Sequence, residues 1–358
     1  MQDLCLLYFK NNNAEIICIG IKIAFFYKYN ITLKIVKEER KMKIIDMHCD
    51  TMMEAWRSSD VDFVNGATSI NLKKLKENNS LVQFFALYLP RDEMVYMDSY
   101  DIVKAMYETY MEMIEMHGDI IQPVFSVEDI ERNKKEGLLS SVLTIEDGVF
   151  LDGKLERVEE VYNLGVRLIT LLWNFENSVG YPNSDDCEIH MKGLKPFGIE
   201  VVERMNELGM IIDTSHLSEG GFYDVAKYSK KPFVASHSCA RALCDHRRNL
   251  TDNQLKILGE TGGVVGVNFE RTFLKENSQR ATFDQIIQHL VYMKDKAGIE
   301  AIGFGSDFDG IEDNGELIDY SGFPVLIERM ENYFTDDEID MICNKNALRL
   351  IGDVLTGK

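Results

Sequence analysis

The feature that most constrains this fold is a repeated alternation of short β-rich runs with helical segments. Eight such runs recur between residues 43 and 307, each bounded by turn residues or charged helical stretches. The runs are Lys43–His48, Leu81–Leu89, Ser141–Glu146, Arg167–Trp173, Met210–His216, Pro232–His237, Gly263–Phe269 and Ala301–Asp307. Helical spacing is found between them, as in Tyr100–His117, Leu155–Leu164, Pro196–Leu208 and Phe283–Ala297. The alternation predicts an α/β fold built on a parallel sheet.

Two architectures fit eight strand–helix units: a closed barrel and an open, doubly wound sheet. Runs such as Val142–Ile145 and Gly263–Val267 are nearly continuously apolar, which is typical of strands buried on both faces. A helical tail follows, roughly over Phe334–Leu355. This pattern favours a (β/α)8 TIM barrel of the metal-dependent hydrolase type, with the doubly wound sheet as the alternative. Barrels of about 250 residues or more fold as one unit, so residues 42–358 are predicted to form one domain.

The first 41 residues differ in composition from the rest of the chain. They are rich in Ile, Lys, Asn, Tyr and Phe and show no amphipathic period. The apolar stretch Ile16–Tyr27 contains Lys22, lacks a small-residue cleavage site and is shorter than the ~20 residues of a membrane span. We therefore expect residues 1–41 to be an extension outside the fold, either disordered or the product of a mis-assigned start, with Met42 as the alternative start.

Charge and cysteine content limit the partners and the location of the protein. The net charge of −20 argues against nucleic acid and against an anionic membrane surface, since both would repel it. The seven cysteines form no CxxC pair and no disulfide framework. Reduced thiols of this kind are typical of a cytoplasmic protein, which is the location we expect.

Ionisable side chains stand at the ends of the predicted strands. In a barrel, the carboxyl ends of the strands converge on one face, where chemistry is built. Histidine and carboxylate side chains are the ligands that Zn²⁺ takes in proteins. The residues at these ends are His48, Asp50, Glu146, His216, His237 and Asp307. Their placement predicts a metal site at the barrel mouth.

Most of these residues have a competing interpretation. His48 and Asp50 are two residues apart, so on an extended chain they point to the same side. The two oxygens of Glu146 could bridge two cations, although the adjacent Asp147 is a competing candidate. His216 and His237 are 21 residues apart, which places them on adjacent strands, but either could be a core histidine.

Further alternatives concern the residues around the predicted ligands. Asp307 could transfer protons, with Asp309 as a same-face competitor. Arg248 could hold a substrate carboxylate through its fork of donors, or lie on the surface. The hydroxyls of Ser218 and Ser238 could support the imidazoles that precede them, or belong to turns.

Five ordered motifs carry a family resemblance. They are His48-Cys49-Asp50, Ile145-Glu146-Asp147-Gly148, Ile212-Asp213-Thr214-Ser215-His216-Leu217-Ser218, Ala235-Ser236-His237-Ser238 and Gly305-Ser306-Asp307-Phe308-Asp309-Gly310. From about Met42 to the C-terminus, the chain resembles the membrane (renal) dipeptidase family of zinc peptidases. The resemblance implies a barrel that hydrolyses the peptide bond of dipeptides with a metal-activated hydroxide, often with a D-residue on the C-terminal side. It also implies a homodimer.

The resemblance also implies a role for each site residue. His48 and Asp50 would bind one Zn²⁺, His216 and His237 a second, and Glu146 would bridge the two. Arg248 would hold the free carboxylate of the substrate, and Asp307 would transfer the proton. Another metal-dependent amidohydrolase, a deaminase or an N-acyl amino acid hydrolase, is the alternative function.

The chain departs from the animal members of this family in two respects. They have a substrate-orienting histidine at the end of the fourth strand, where this chain has Trp173. An indole can donate a hydrogen bond but cannot take a charge, so Trp173 is instead a candidate for the pocket wall. The secretory signal, lipid-anchor tail and paired cysteines of the animal enzymes have no counterpart, so membrane anchoring is not expected.

Overall fold

The computed structural model describes residues 6–10, 13–17, 42–58 and 61–355. The chain divides into two compact units, Met1–Met42 and Lys43–Lys358. In the first unit, β1 (Leu6–Lys10) and β2 (Asn13–Ile17) pair as an antiparallel hairpin. Most of residues 1–41 lie outside the described ones. Their disorder, or a mis-assigned start of the chain, therefore stays a prediction.

The second unit is built on a closed ring of eight parallel strands. Eight ring strands and one additional strand, β5, belong to this unit: β3 (Ile44–Asp46), β4 (Ser80–Tyr88), β5 (Ile121–Pro123), β6 (Leu139–Glu146), β7 (Val166–Thr170), β8 (Ile211–Asp213), β9 (Val234–Ser238), β10 (Val264–Val267) and β11 (Ile302–Phe304). The ring runs β3-β4-β6-β7-β8-β9-β10-β11 and closes where β11 pairs with β3. Each of the eight predicted runs overlaps one strand of the ring. The predicted (β/α)8 TIM barrel is therefore confirmed, and the open sheet is excluded.

One strand of this unit, β5, is not predicted by the sequence. It has three residues and pairs in parallel with the first residues of β6, whereas β7 pairs with the last residues of β6. So short a strand leaves no alternation that could be recognised in the sequence.

Helices follow the strands in the way that the sequence pattern predicts. The α-helices are α1 (Thr51–Arg57), α2 (Leu72–Glu77), α3 (Ser99–Met116), α4 (Val127–Glu136), α5 (Glu156–Asn163), α6 (Cys187–His190), α7 (Pro196–Leu208), α8 (Glu219–Tyr228), α9 (Asp252–Glu260), α10 (Arg271–Leu274), α11 (Phe283–Ala297), α12 (Phe323–Met330), α13 (Asp336–Asp340) and α14 (Asn346–Val354). Short 3-10 turns span Glu93–Val95, Gly148–Leu151, Ile299–Ala301 and Tyr320–Gly322.

Local capping explains why two helices have the bounds that the sequence predicts. Helix α7 begins with Pro196 and is followed by Gly209, which has a left-handed φ of 75°. Helix α11 follows a capping box between Thr282 and Gln285. The predicted tail is less regular than expected, because a π-helical turn over Met341–Lys345 separates α13 from α14.

A cluster of buried apolar side chains fills the interior of the barrel. It takes residues from seven of the eight ring strands and from α14, so these side chains can meet only inside the ring. The strand residues include Ile45, Val82, Val142, Leu168, Ile211, Val234 and Val264, and the helix contributes Ala347, Leu350, Ile351 and Val354. Several of these strand residues are the first of their strands, namely Ile211 of β8, Val234 of β9 and Val264 of β10, so α14 packs at the amino end of the ring, opposite the ionisable strand ends.

Two observations concern the cytoplasmic location that the sequence predicts: the state of the cysteines and the character of the helices. The five cysteines within the described residues, Cys49, Cys187, Cys239, Cys244 and Cys343, are free thiols. Among the residues that the structure describes, none of the helices has the length and apolar character to cross a membrane. The cytoplasmic location and the homodimer stay predictions.

Shortening a buried side chain of α14 tests how much the packing of this helix contributes to stability. Leu350 is fully buried in the interior cluster. Leu350→Ala should lower the free energy of unfolding by about 2–5 kcal/mol, because it removes buried methyl groups and leaves a cavity. The midpoint of urea denaturation measures this change. Val325→Ala on the exposed face of α12 is the control and should stay within about 0.5 kcal/mol of the parent. Equal midpoints for both variants would contradict the packing described here.

Candidate metal centre

Neighbouring strands β3 and β11 carry the first half of a buried cluster at the carboxyl end of the barrel. The Nε2 atom of His48 lies 3.7 Å from Asp50 Oδ1 and 3.7 Å from Asp307 Oδ1. Backbone bonds from Asp307 N to His48 O (3.2 Å) and from Asp50 N to Phe308 O (2.9 Å) hold the two strand ends together. Ligand atoms of His48, Asp50 and Asp307 therefore lie within 4.8 Å of one another.

Glu146, the last residue of β6, joins this half of the cluster to the second half. Its Oε2 is 3.3 Å from His48 Nε2, and its Oε1 is 3.0 Å from His216 Nε2 and 3.5 Å from His237 Nε2. The two latter histidines come from the adjacent strands β8 and β9, as their spacing predicts, and their Nε2 atoms are 3.0 Å apart. The other five residues at the predicted strand ends are thus gathered in one buried cluster with Glu146.

The backbone at this end of the barrel is strained at several positions. His216, Asp307 and Asp309 have left-handed φ values of 65°, 64° and 66°, which residues other than glycine rarely adopt. Such strain is found preferentially at functional sites. A Cβ at Gly305 would lie 1.7 Å from the carbonyl oxygen of Ser236, so only glycine allows β11 to end this close to β9.

Burial and mutual repulsion govern the charges of the cluster. Burial raises the pKa of Asp50 to about 7, and the charge of Glu146 adds to this shift. Burial also raises the pKa of Asp307, against the attraction of His48. For His48, burial alone would lower the pKa, but Glu146 and Asp50 outweigh it and raise the pKa. Crowded acidic groups of this kind are stabilised in their charged forms by a nearby cation.

The protonation of His216 suits metal binding. Burial lowers the pKa of His216 to about 4, and the charge of Arg248 contributes to the shift. The imidazole is therefore neutral at pH 7 and carries a lone pair on one ring nitrogen. Asn174 Oδ1 lies 2.9 Å from His216 Nδ1 and accepts its proton, so the lone pair is on Nε2, facing Glu146.

The donor atoms of the cluster fit metal ions. Both ring nitrogens of His48 and Oδ1 of Asp50 are buried and have no hydrogen-bond partner within the described chain. Buried polar atoms without a partner are costly unless a ligand satisfies them. A mixed set of imidazole and carboxylate donors suits Zn²⁺. Two overlapping groups of donors, one of His48, Glu146 and His237 and one of His48, Asp50 and Asp307, are close enough to hold an ion.

A buried aspartate on β8 fixes the proton of His237. Asp213 Oδ2 lies 2.5 Å from Ser236 Oγ and also accepts a bond from Thr170 Oγ1 at 2.7 Å. Because a carboxylate only accepts, the single hydroxyl proton of Ser236 points to Asp213. Ser236 Oγ must then accept the proton of His237 Nδ1, which is 2.8 Å away. The lone pair of His237 is consequently on Nε2, the atom that faces Glu146.

The strand end at Asp307 is fixed by the same kind of contact. Asp46 accepts bonds from the backbone N of Ser306 (2.8 Å) and from its hydroxyl (2.7 Å), just as Asp213 does for Ser236. Asn268 Nδ2 donates to Asp307 Oδ2 at 2.8 Å. Sequence reasoning misses these supporting residues, although Asp46 and Asp213 each precede a predicted ligand by two or three positions.

The structure also resolves which competing residues face the cluster. Asp147 is turned away, with bonds to Arg91, Asn177 and the backbone N of Val149. Asp309 accepts bonds from Thr51, Ser69 and Ile70, and thus anchors a loop. Within the described chain, neither Ser218 nor Ser238 forms a hydrogen bond to the side chain of the histidine that precedes it. Ser218 caps α8 through Gly221 N, and Ser238 accepts from Arg248.

Arg248 lies beside the cluster with part of its donor set unused. Its guanidinium is buried, and it donates from Nη2 to His237 O at 3.1 Å and from Nη1 to Ser238 Oγ at 3.4 Å. Its Nε has no hydrogen-bond partner in the part of the chain that is described. The surface position that the sequence left open is therefore wrong, and Arg248 can receive an anion.

Comparison with known proteins assigns a family to this arrangement. The family described as membrane dipeptidase (peptidase family M19) matches residues 34–357. This chain belongs to the membrane dipeptidase family. An uncharacterized dipeptidase of Schizosaccharomyces pombe is 32% identical over 330 residues, which cover 86% of this chain and 79% of the relative.

Solved structures agree with the membership in the membrane dipeptidase family. The crystal structure of dipeptidase AC, a metallo peptidase of family M19, is similar with a TM-score of 0.79 and 25% identity, over 88% of this chain and 99% of that one. A metallo peptidase of Rhodobacter sphaeroides, solved with a phosphinate mimic of L-Ala-D-Ala, has a TM-score of 0.79 and 25% identity over 87% and 99% of the chains. The chain is thus a metallo-dipeptidase with a TIM barrel.

The contact between Ser236 and His237 can be tested through metal affinity. Ser236→Ala removes the acceptor of the His237 Nδ1 proton, so it should weaken zinc binding by about 10- to 100-fold. Competition with a chromophoric chelator measures the dissociation constant. Ser218→Ala is the matched control, since that hydroxyl caps α8 and should leave zinc affinity unchanged. The support assigned to Ser236 is refuted if both variants bind zinc as the parent does.

Proposed function

We propose that this metallo-dipeptidase works with two zinc ions that share Glu146. His48 and Asp50 would hold one ion, and His216 and His237 the other. The observation that supports this assignment is the position of Glu146, whose two oxygens face different histidines at 3.0–3.5 Å. A single ion would use one side of this carboxylate, whereas donors converge on both sides.

Metal ions and protein side chains have separate tasks in this proposal. When bound, the zinc ions would supply the Lewis acidity that makes a water molecule nucleophilic at neutral pH. Asp307 is placed to move the proton, because Asn268 holds its Oδ2 while its Oδ1 is 3.7 Å from His48 Nε2. Its side chain, 14% exposed, can be reached from the barrel mouth. Oδ1 would accept a proton from the attacking water and donate it to the leaving amine.

The substrate would be a dipeptide held by its free carboxylate. Arg248 bonds to the carbonyl of His237, and the buried Nε of its guanidinium has no hydrogen-bond partner among the described residues. A carboxylate bound there would set the distance from the C-terminus of the substrate to Glu146, which favours two-residue peptides over longer ones. The relative solved with a mimic of L-Ala-D-Ala supports extending the proposal to dipeptides with a D-residue at the C-terminal side.

Product analysis tests the activity directly. Zinc-loaded protein should release two free amino acids from L-Ala-L-Ala and from L-Ala-D-Ala without releasing ammonia. Treatment with a chelator should abolish the release, and added Zn²⁺ should restore it. Ammonia as a product would indicate a deaminase, and cleavage of acylated amino acids in place of dipeptides would indicate an N-acyl amino acid hydrolase.

The role of Asp307 can be separated from metal binding. Asp307→Asn keeps the shape of the side chain but cannot accept the proton, so kcat should fall by about 10²–10⁴-fold while the zinc content stays the same. Metal analysis and steady-state kinetics on the same sample give both quantities. Asp313→Asn, an exposed position in the following loop, is the control. An unchanged kcat in Asp307→Asn would refute the assignment.

A further inference from the structure

Three aromatic side chains stand beside the metal centre, and we call them the aromatic wall: Tyr88, Trp173 and Phe175. The rings of Tyr88 and Trp173 meet edge to face at 5.1 Å between centroids, and those of Trp173 and Phe175 are 5.6 Å apart. Trp173 also lies 6.3 Å from the ring of His216. The wall therefore forms one continuous apolar surface that reaches the metal centre.

The wall is held in place by the strands and by one ion pair. Tyr88 is the last residue of β4 and is in register with Glu146 on β6. Arg91 packs its guanidinium over the ring of Phe175 at 4.9 Å and binds the fully buried Asp147 at 3.1 Å. Phe175 is nevertheless 50% exposed, and Trp173 is only partly buried. A large apolar side chain could cover this surface without displacing a protein group.

The order of strands in the ring places the wall on both sides of Glu146, away from the strand that precedes Arg248. Strand β4, which carries Tyr88, is four positions from β9 in either direction around the ring, and β7, which precedes Trp173 and Phe175, is two positions from β9. Arg248 follows β9 and bonds to the carbonyl of His237 on that strand. Strand β6, which ends at Glu146, lies between β4 and β7, so the wall flanks Glu146. A dipeptide with its carboxylate at Arg248 and its peptide bond near Glu146 would thus extend its N-terminal residue towards the wall.

We propose that the aromatic wall binds the side chain of the N-terminal residue, and that this enzyme favours dipeptides with a large apolar residue there. The proposal rests on the proposed function. Covering apolar surface on both partners removes it from water, and burying a Leu or Phe side chain changes an equilibrium or rate constant by about 10- to 100-fold. Since the wall covers one side of the ligand, we expect the lower end of this range. Trp173 contacts the rings of both Tyr88 and Phe175, so it is the residue that makes the surface continuous.

A panel of dipeptides with zinc-loaded, full-length protein tests the proposal. Values of kcat/KM for Leu-Ala and Phe-Ala should exceed that for Gly-Ala by about 10-fold. In Trp173→Ala the ratio of Leu-Ala to Gly-Ala should fall to near 1, and in Trp173→Phe it should be partly retained. The ratio of Ala-Leu to Ala-Gly should not respond to Trp173, since that side chain would lie near Arg248.

Controls keep this test separate from folding and from the proposed activity. Tyr333→Ala, an exposed aromatic residue after α12, should leave every ratio unchanged. Phe175→Ala provides a second variant of the wall and should lower the Leu-Ala to Gly-Ala ratio even if Trp173→Ala does not fold. Equal cleavage of Gly-Ala and Leu-Ala by the parent protein would refute the role of the aromatic wall in substrate selection. It would leave the proposed dipeptidase activity unaffected. A Trp173 variant that changes selectivity at the C-terminal residue would overturn the assignment, and failure to cleave any dipeptide would overturn the proposed function itself.

Discussion

The site depends on one buried carboxylate that faces three histidines. Glu146 is almost completely removed from water, and its two oxygens meet His48 on one side and the pair His216 and His237 on the other. A charge in that position is stable only if positive charge or hydrogen-bond donors surround it. The three imidazoles come from three different strands, so the closed ring is what makes the arrangement possible. Burial raises the pKa of Asp50 and of Asp307 beside it, which is consistent with a place for cations.

A second layer of contacts makes these positions specific. Asp46 and Asp213 lie at the ends of β3 and β8, and each accepts bonds from the backbone and hydroxyl of a serine that lies on, or just after, a neighbouring strand of the ring. Those serines, Ser306 and Ser236, directly precede Asp307 and His237. The same contact is thus used twice, once to fix the proton of a histidine and once to hold a strand end whose backbone is left-handed.

Much of the fold and the main site residues follow from the sequence, whereas the supporting contacts do not. Alternation of apolar runs and helical spacing predicts the barrel, because each strand–helix unit leaves a periodic signal. The residues around Glu146 are predicted because ionisable groups at the ends of apolar strands are unusual. Ser236 is not, since a serine within a strand gives no sign of the strand partner to which it bonds. Asp147 and Asp309 could be separated from Glu146 and Asp307 only by their contacts, and β5 is too short to leave a pattern.

Glu146 and the side chains around it are proposed to hold a pair of metal ions, and the presence of this pair can be measured. Anomalous diffraction at the zinc edge, from crystals of the zinc-loaded protein, tests it most directly. Two peaks are expected at about 2.0–2.2 Å from ligand atoms, one beside His48 and Asp50 and one beside His216 and His237, with Glu146 in contact with both. A single peak, or peaks away from Glu146, would contradict it.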